Sequence, residues 1–221
     1  MVSRGILEEM TCPAAVVDRI DAHGIWRRMP DPAPAPGAPR PALFLDRDGT
    51  VIVESPYLSD PDLVRVIPEA ITTIARANLL GIPVVVVTNQ SGIGRGYFDW
   101  RAYAAVEDAV AAAVTAAGAR LDAVYACPSA PEEPLPFGRK PDPGMLTTAA
   151  AELGLDLSAS WIAGDSATDI ETGLRAGLRG GWLVPTGYGA RDAEAARSLI
   201  GRGFEVIVGE ALDGLAERLA T

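Results

Sequence analysis

The chain has 221 residues, 48% of them hydrophobic, which is enough for one sizeable core plus an extension rather than two full domains. Its formal net charge of −10 argues against nucleic acid or an anionic membrane surface as partner, while leaving room for a small anionic substrate at a local basic cluster. No apolar run reaches the ~18 residues of a membrane-spanning helix, and the N-terminus does not read as a secretory signal. The two cysteines, Cys12 and Cys127, stand far apart in no metal or redox spacing, which fits a reducing, cytoplasmic setting.

Residues 1–41 read as an N-terminal arm without chemistry. Ala14 to Ile20 suits a short helix, Ile25 and Trp26 suit docking on the main body, and Pro30 to Pro41 is an extended Pro/Ala tract. The only histidine, His23, lies in this arm, so any mechanism must manage without an imidazole base. From residue 42 strand and helix alternate. Ala42 to Leu45 is an apolar strand, and a helix runs from Pro68 to a stop at Gly81. Pro83 to Val87 is a second buried strand, ending on Thr88-Asn89-Gln90-Ser91-Gly92. Gly92, Gly94 and Gly96 space a flexible loop carrying Arg95, before an alanine-rich helix from Trp100 to Ala117. Strand Leu121 to Ala126 leads into a proline-rich loop and helix Met145 to Leu153. Strand Ser160 to Gly164 precedes helix Ile170 to Ala176, strand Gly181 to Val184, helix Ala193 to Ile200, strand Phe204 to Val208 and helix Ala211 to Leu219. The pattern predicts an α/β chain over 42–221, a Rossmann-like three-layer sandwich with a central parallel sheet. The gaps between Thr50 and Pro68 and between Val124 and Arg139 are too short for a large cap domain.

Three of the strands end on polar groups: Asp46 and Asp48, Thr88 and Asn89, and Asp165 with Asp169 close behind. The C-terminal ends of parallel strands share one edge, where α/β proteins bind their ligands, so these groups should converge. Carboxylates gathered there repel one another unless a cation sits among them, and hard oxygen ligands suit Mg2+. Read instead as the start of a calcium loop, Asp46-Arg47-Asp48-Gly49 fails, because its fifth, sixth and twelfth places hold Thr50, Val51 and Tyr57. Turn residues after a strand are the plainer alternative for the same segment. Lys140, the chain's only lysine, follows Arg139 at the head of a helix. Carboxylates, a hydroxyl, an amide and one cation around a metal suit phosphoryl transfer.

The segments Leu45-Asp46-Arg47-Asp48-Gly49-Thr50, Val87-Thr88-Asn89-Gln90-Ser91-Gly92, Arg139-Lys140-Pro141 and Gly164-Asp165 through Asp169 resemble the haloacid dehalogenase (HAD) superfamily of phosphatases. Within it the chain is similar to the branch of heptose 1,7-bisphosphate and histidinol-phosphate phosphatases, over about residues 42 to 220. The resemblance implies Asp46 as nucleophile and metal ligand, and Asp48 as general acid and base whose backbone carbonyl also reaches the metal. It implies that Thr88 and Asn89 hold phosphoryl oxygens, that Lys140 offsets their charge, and that Asp165 completes the metal shell. Asp169 is either a further ligand or an acid placed against a helix N-terminus. Arg139 and Arg95 are candidate substrate contacts, and Arg47 is expected to face away from the site.

One departure from the branch stands out. Its zinc loop, Cys-x-His then Cys-x-Cys before Arg-Lys-Pro, is reduced here to Cys127, with Ser129, Pro136 and Gly138 in the other places. One thiolate does not hold structural zinc, so Mg2+ and no zinc are expected. The implied activity is a phosphomonoesterase working through an aspartyl-phosphate on a small phosphorylated metabolite such as a heptose bisphosphate, with a monomer compatible with the sequence. Histidinol phosphate is the alternative substrate, and a non-catalytic phosphate-binding module is the rival of another class.

Overall fold

In the computed structural model, which describes residues 16–30, 38–132, 137–201, 203–209, 212 and 214–219, an antiparallel hairpin comes first: β1 (Val16–Ile20) and β2 (Trp26–Pro30). The Asp21 carboxylate closes its turn by accepting from the His23 and Ile25 amides at 2.8 and 3.1 Å. The short helix expected at Ala14 to Ile20 is therefore a strand from Val16. The reason lies elsewhere in the chain: β2 satisfies its backbone against an otherwise open sheet edge, and β1 pairs with β2 in turn. Residues 31–37, most of the Pro/Ala tract, lie outside the described residues.

The alternating elements follow as β3 (Leu43–Leu45), α1 (Pro68–Leu79), β4 (Val84–Asn89), α2 (Ser91–Gly94), α3 (Trp100–Ala116), β5 (Ala123–Cys127), α4 (Gly144–Leu153), β6 (Trp161–Gly164), α5 (Ala167–Ala176), β7 (Gly180–Leu183), α6 (Gly189–Arg197), β8 (Glu205–Val208) and α7 (Leu215–Leu219). Local chemistry sets their ends. Asp99 caps α3 by accepting from the Ala102 amide at 2.9 Å, and α4 stops at Gly154 in the left-handed region. A capping box between Ser166 and Asp169 starts α5 at Ala167, three residues before the apolar period begins. Gly92 and Gly94, expected in a flexible loop, belong to the helical turn α2.

The sheet order is β1-β2-β5-β4-β3-β6-β7-β8, parallel from β5 to β8, with the hairpin added antiparallel at the β5 edge. Alternate residues of the central strands serve opposite faces. Leu43, Leu45, Val84 and Val86 join one core with Ile74 of α1 and Val106 and Val110 of α3. Phe44, Val85 and Val87 join the other with Met145 and Leu146 of α4 and Ile170 of α5. Both faces are covered, so the strands are apolar throughout, each fully buried Val or Leu contributing about 1.5–3 kcal/mol. The chain leaves β3 through β4 to β5 on one side, then crosses to β6, β7 and β8 on the other. The order therefore reverses between β3 and β6, the place where an open sheet leaves a crevice at its C-terminal edge. Between β3 and α1 the chain makes two isolated bridges, Asp48–Ile52 and Ile52–Val66, and a 3-10 turn at Pro61–Leu63, with no cap domain.

Candidate active site

Asp46 stands directly after β3, its amide donating to the Ala163 carbonyl of β6 at 2.9 Å. A tight turn follows, in which the Arg47 carbonyl accepts from the Thr50, Val51 and Ile52 amides at 3.3, 2.8 and 3.0 Å. Asp165 follows β6, whose Ala163 is level with Leu45 of β3, and Asp169 lies one turn on in α5. Carboxylate oxygens of Asp46, Asp165 and Asp169 all lie within 4.8 Å of one another, and all three residues are buried. The convergence expected from the strand ends is thus present in space.

Lys140 enters this cluster from the loop before α4. Its ammonium donates to Asp46 Oδ1 at 2.6 Å and to the Val87 carbonyl at 2.9 Å, and lies 2.5 Å from Asp169 Oδ1. Asn89 fixes that loop: its side-chain oxygen accepts from the Lys140 amide at 3.0 Å and its Nδ2 donates to the Lys140 carbonyl at 3.2 Å. Thr88 is buried at the end of β4, with its hydroxyl accepting from Gln90 Nε2 at 2.8 Å. The same Gln90 nitrogen lies 2.9 Å from Asp48 Oδ2. The Asp48 carboxylate stands apart from the three-acid cluster and faces Arg47, whose Nη2 reaches both of its oxygens at 2.9 Å. Arg47 does not turn away from the site as expected. It is buried because Glu107, a buried acid on α3, needs a counter-charge and receives Nη1 at 2.7 Å.

A cavity of about 680 Å3 opens over the cluster, the size that suits a small metabolite. Arg139 lines it while donating from Nη1 to the Ser129 carbonyl at 2.7 Å. Arg95 lies outside that lining, since the turn of α2 carries it to a pair with Glu132 at 2.6 Å. The wall also holds Glu54, Tyr57, Tyr188 and Arg191, which sequence reasoning passed over. Glu107 carried one legible sign. It falls on the buried stripe Tyr103, Val110 and Val114 of α3, where a charge needs a partner.

Electrostatics set this region apart. Three buried carboxylates against one ammonium leave the cluster two positive charges short. Burial, then the neighbouring Asp169, Asp165 and Asp48 charges, push the Asp46 carboxyl well above its ordinary value despite Lys140. Burial raises Asp165 to about 6 against the pull of the Tyr188 amide. Glu54 rises to about 7 through burial and the charges of Asp48 and Asp165. For Lys140, burial is outweighed by Asp169 and Asp46, which hold the ammonium charged. Asp46 and Asp165 of the cluster are thus both pushed toward the protonated form, as gathered carboxylates are when too little positive charge lies among them.

Comparison with known proteins gives the site its lineage. Residues 137–206 match the HAD-hydrolase-like family. Over 165 residues, 71% of this chain and 71% of the relative, the sequence is 48% identical to the D-glycero-beta-D-manno-heptose-1,7-bisphosphate 7-phosphatase of Mesorhizobium japonicum. The chain belongs to the HAD-like phosphatases. A HAD-like phosphatase of Mesorhizobium loti superposes with a TM-score of 0.72 at 38% identity, covering 96% of this chain and 95% of its own. D,D-heptose 1,7-bisphosphate phosphatase from B. bronchiseptica, complexed with magnesium and phosphate, superposes with a TM-score of 0.71 at 34% identity over 81% and 97% of the two chains.

The residues of this phosphatase fit a divalent cation. The donors are carboxylate oxygens alone, and their formal deficit of two charges equals the charge of Mg2+. Two glycines keep Asp165 in place: a Cβ on Gly49 would sit 2.2 Å from Asp165 Oδ2, and one on Gly187 1.8 Å from it. The amide of Tyr188 donates to that same oxygen at 2.9 Å. Where the related branch carries zinc ligands, this phosphatase has a buried Cys127 whose thiol lies 3.6 Å from the Phe137 carbonyl, while Pro136 lies outside the described residues. The N-terminal hairpin packs on this loop. The ring of His23 meets Phe137 at 4.1 Å, and Ile25 fills the space beside Gly138, where a Cβ would come within 2.5 Å of its Cδ1.

Proposed function

We propose that this phosphatase is a Mg2+-dependent phosphomonoesterase that removes the 7-phosphate of a D-glycero-D-manno-heptose 1,7-bisphosphate, acting as a cytoplasmic monomer. The reading of the chemistry is carried by one observation: Asp46, Asp165 and Asp169 share a space small enough for one ion, with the Lys140 ammonium at its edge. The substrate reading is supported by relatives, among them one from Photorhabdus laumondii at 36% identity over 167 residues, that carry this activity in their names. Among the described residues, no helix is long and apolar enough to cross a membrane.

Asp46, Asp165 just after β6 and Asp169 of α5 would hold Mg2+, with the Asp48 backbone carbonyl adding to the shell. When bound, the ion neutralises the charge of the phosphoryl group. Thr88 and the Asn89 backbone seat the phosphoryl oxygens, Lys140 offsets their charge, and Arg139 grips the distal end of the substrate. An Asp46 oxygen then forms a bond to phosphorus as the ester P–O bond breaks, and Asp48 delivers its proton to the leaving alcohol. In the second half a water oxygen bonds to phosphorus, its proton passes to Asp48, and the aspartyl P–O bond breaks to release phosphate. Asp165 and Lys140 act throughout by charge and position.

The test is phosphate release from heptose 1,7-bisphosphate and histidinol phosphate side by side, with Mg2+ and with EDTA. Turnover of the heptose that requires Mg2+ is expected. A folded protein silent toward both substrates in Mg2+ would sink the proposal, and preference for histidinol phosphate would replace the substrate.

A further inference from the structure

Outside the metal cluster, the most heavily buried charges among the described residues form a second group: Arg47, 1% exposed, and Glu107, 2% exposed. Taking such a pair out of water costs several kcal/mol per ion, a cost that well-packed apolar residues would avoid. The pair does something that an apolar pair does not. Glu107 Oε1 accepts from Arg47 Nη1 at 2.7 Å, which leaves the other edge of the guanidinium fork free for Asp48. That edge takes Asp48 with Nε at 3.2 Å from Oδ2 and Nη2 at 2.9 Å from both oxygens. Gln90 Nε2 closes on Oδ2 from the β4 side at 2.9 Å. The guanidinium cannot swing, because its Cζ sits 5.3 Å from the centre of the Tyr103 ring and Trp26 of β2 meets that ring edge-on at 5.0 Å.

We infer that Arg47, anchored by Glu107, is a positioning residue that fixes the direction of the Asp48 carboxylate for proton delivery to the leaving oxygen. The inference deepens the phosphatase reading above and rests on it. A planar fork held at one edge presents its second edge in a single orientation, which a lysine's point charge does not. Proton transfer from a placed acid contributes about 10²–10⁴-fold to a rate, and a carboxylate free to rotate forfeits part of that. The loss falls on esters whose alcohol leaves poorly. An ester with a good leaving group, such as p-nitrophenyl phosphate, needs little protonation.

The experiment compares kcat/KM, which reports the steps through phosphoryl transfer to Asp46, for p-nitrophenyl phosphate and for benzyl phosphate. The double variant Arg47→Met/Glu107→Leu removes both charges, so neither is left buried alone. It is expected to lose about 100-fold on benzyl phosphate and less than about fivefold on p-nitrophenyl phosphate. Glu107→Gln keeps the volume and an oxygen for Arg47, and is expected to lose about tenfold on benzyl phosphate alone. It decides the matter by itself if the double variant does not fold. Equal losses on both esters, or none on either, overturn the inference while wild-type activity leaves the phosphatase reading intact. Wild-type protein inert toward both esters removes that reading and the inference with it.

Discussion

The ammonium of Lys140 lies 2.6 Å from Asp46 Oδ1 although the two residues are 94 positions apart. This contact joins the loop before α4 to the tip of β3 and supplies the only cation within reach of the three-acid cluster in the hydrogen bonds and ion pairs of the described residues. Replacing the lysine by methionine keeps the stem and removes the charge. Removing one partner of a buried pair costs about 3–5 kcal/mol. Lys140→Met is therefore expected to lose about 3 kcal/mol of stability in EDTA, to regain much of it in saturating Mg2+, and to lose about 100-fold in kcat. Urea unfolding with and without Mg2+ checks this, and a variant as stable as wild type in EDTA contradicts it.

Asp46→Asn keeps the shape of the side chain and removes the proposed nucleophile. Turnover should fall by at least about 10⁴, as when a residue at the centre of a catalytic unit is removed. The fold should persist, because the substitution takes one negative charge out of a cluster that holds too many. Steady-state rates and a thermal melt together give the answer. Activity within tenfold of wild type would remove Asp46 from the nucleophile's role.

Acidity and metal binding should be linked through Asp165. Its carboxyl is raised from an ordinary 3.8 to about 6 in the folded chain, so the fold binds that proton more tightly than the unfolded chain does. The resulting stability is complete below about pH 4 and is lost as pH rises through about 6; Asp46 shifts in the same direction. Metal binding needs the ionised forms. Added Mg2+ should therefore raise Tm more at about pH 7.5 than at about pH 5, and an equal rise at both would refute the linkage.

Gly187→Ala separates backbone strain from metal-site geometry. At φ +53° an alanine costs about 1–2 kcal/mol, and its Cβ would lie 1.8 Å from Asp165 Oδ2. Gly177, at φ +75° with nothing within 4 Å of a Cβ, provides the matched control. Both alanine variants should lose comparable stability, but only Gly187→Ala should raise the Mg2+ concentration for half-maximal activity, by about tenfold. Mg2+ activation curves for the two variants decide it.

How far the site could be read in advance depends on where each residue sits in the chain. Asp46, Thr88 and Asp165 are legible because each stands at or just past the end of a buried strand, and a parallel sheet puts all such ends on one edge. Lys140 was legible through its motif neighbours. Arg95 is a candidate substrate contact by its place among glycines, and Ser91–Gly94 coil into a helical turn that brings it to Glu132. Glu107 is 60 positions from Arg47, on the buried stripe of an alanine-rich helix, and only packing brings the two together.

Taken alone, the order of residues determined the alternation of strand and helix, the acid-bearing strand ends and the family likeness, because periodicity, caps and short motifs are local properties of the chain. Tertiary structure decided that an N-terminal segment becomes two strands added beyond β5, that Asp48 answers to Arg47 and Gln90, and that Asp169 divides its oxygens between a helix cap and Lys140. Those outcomes depend on which open edge or buried charge is left needing a partner once the sheet is assembled. That is a property of the folded arrangement, which no single stretch of the chain contains.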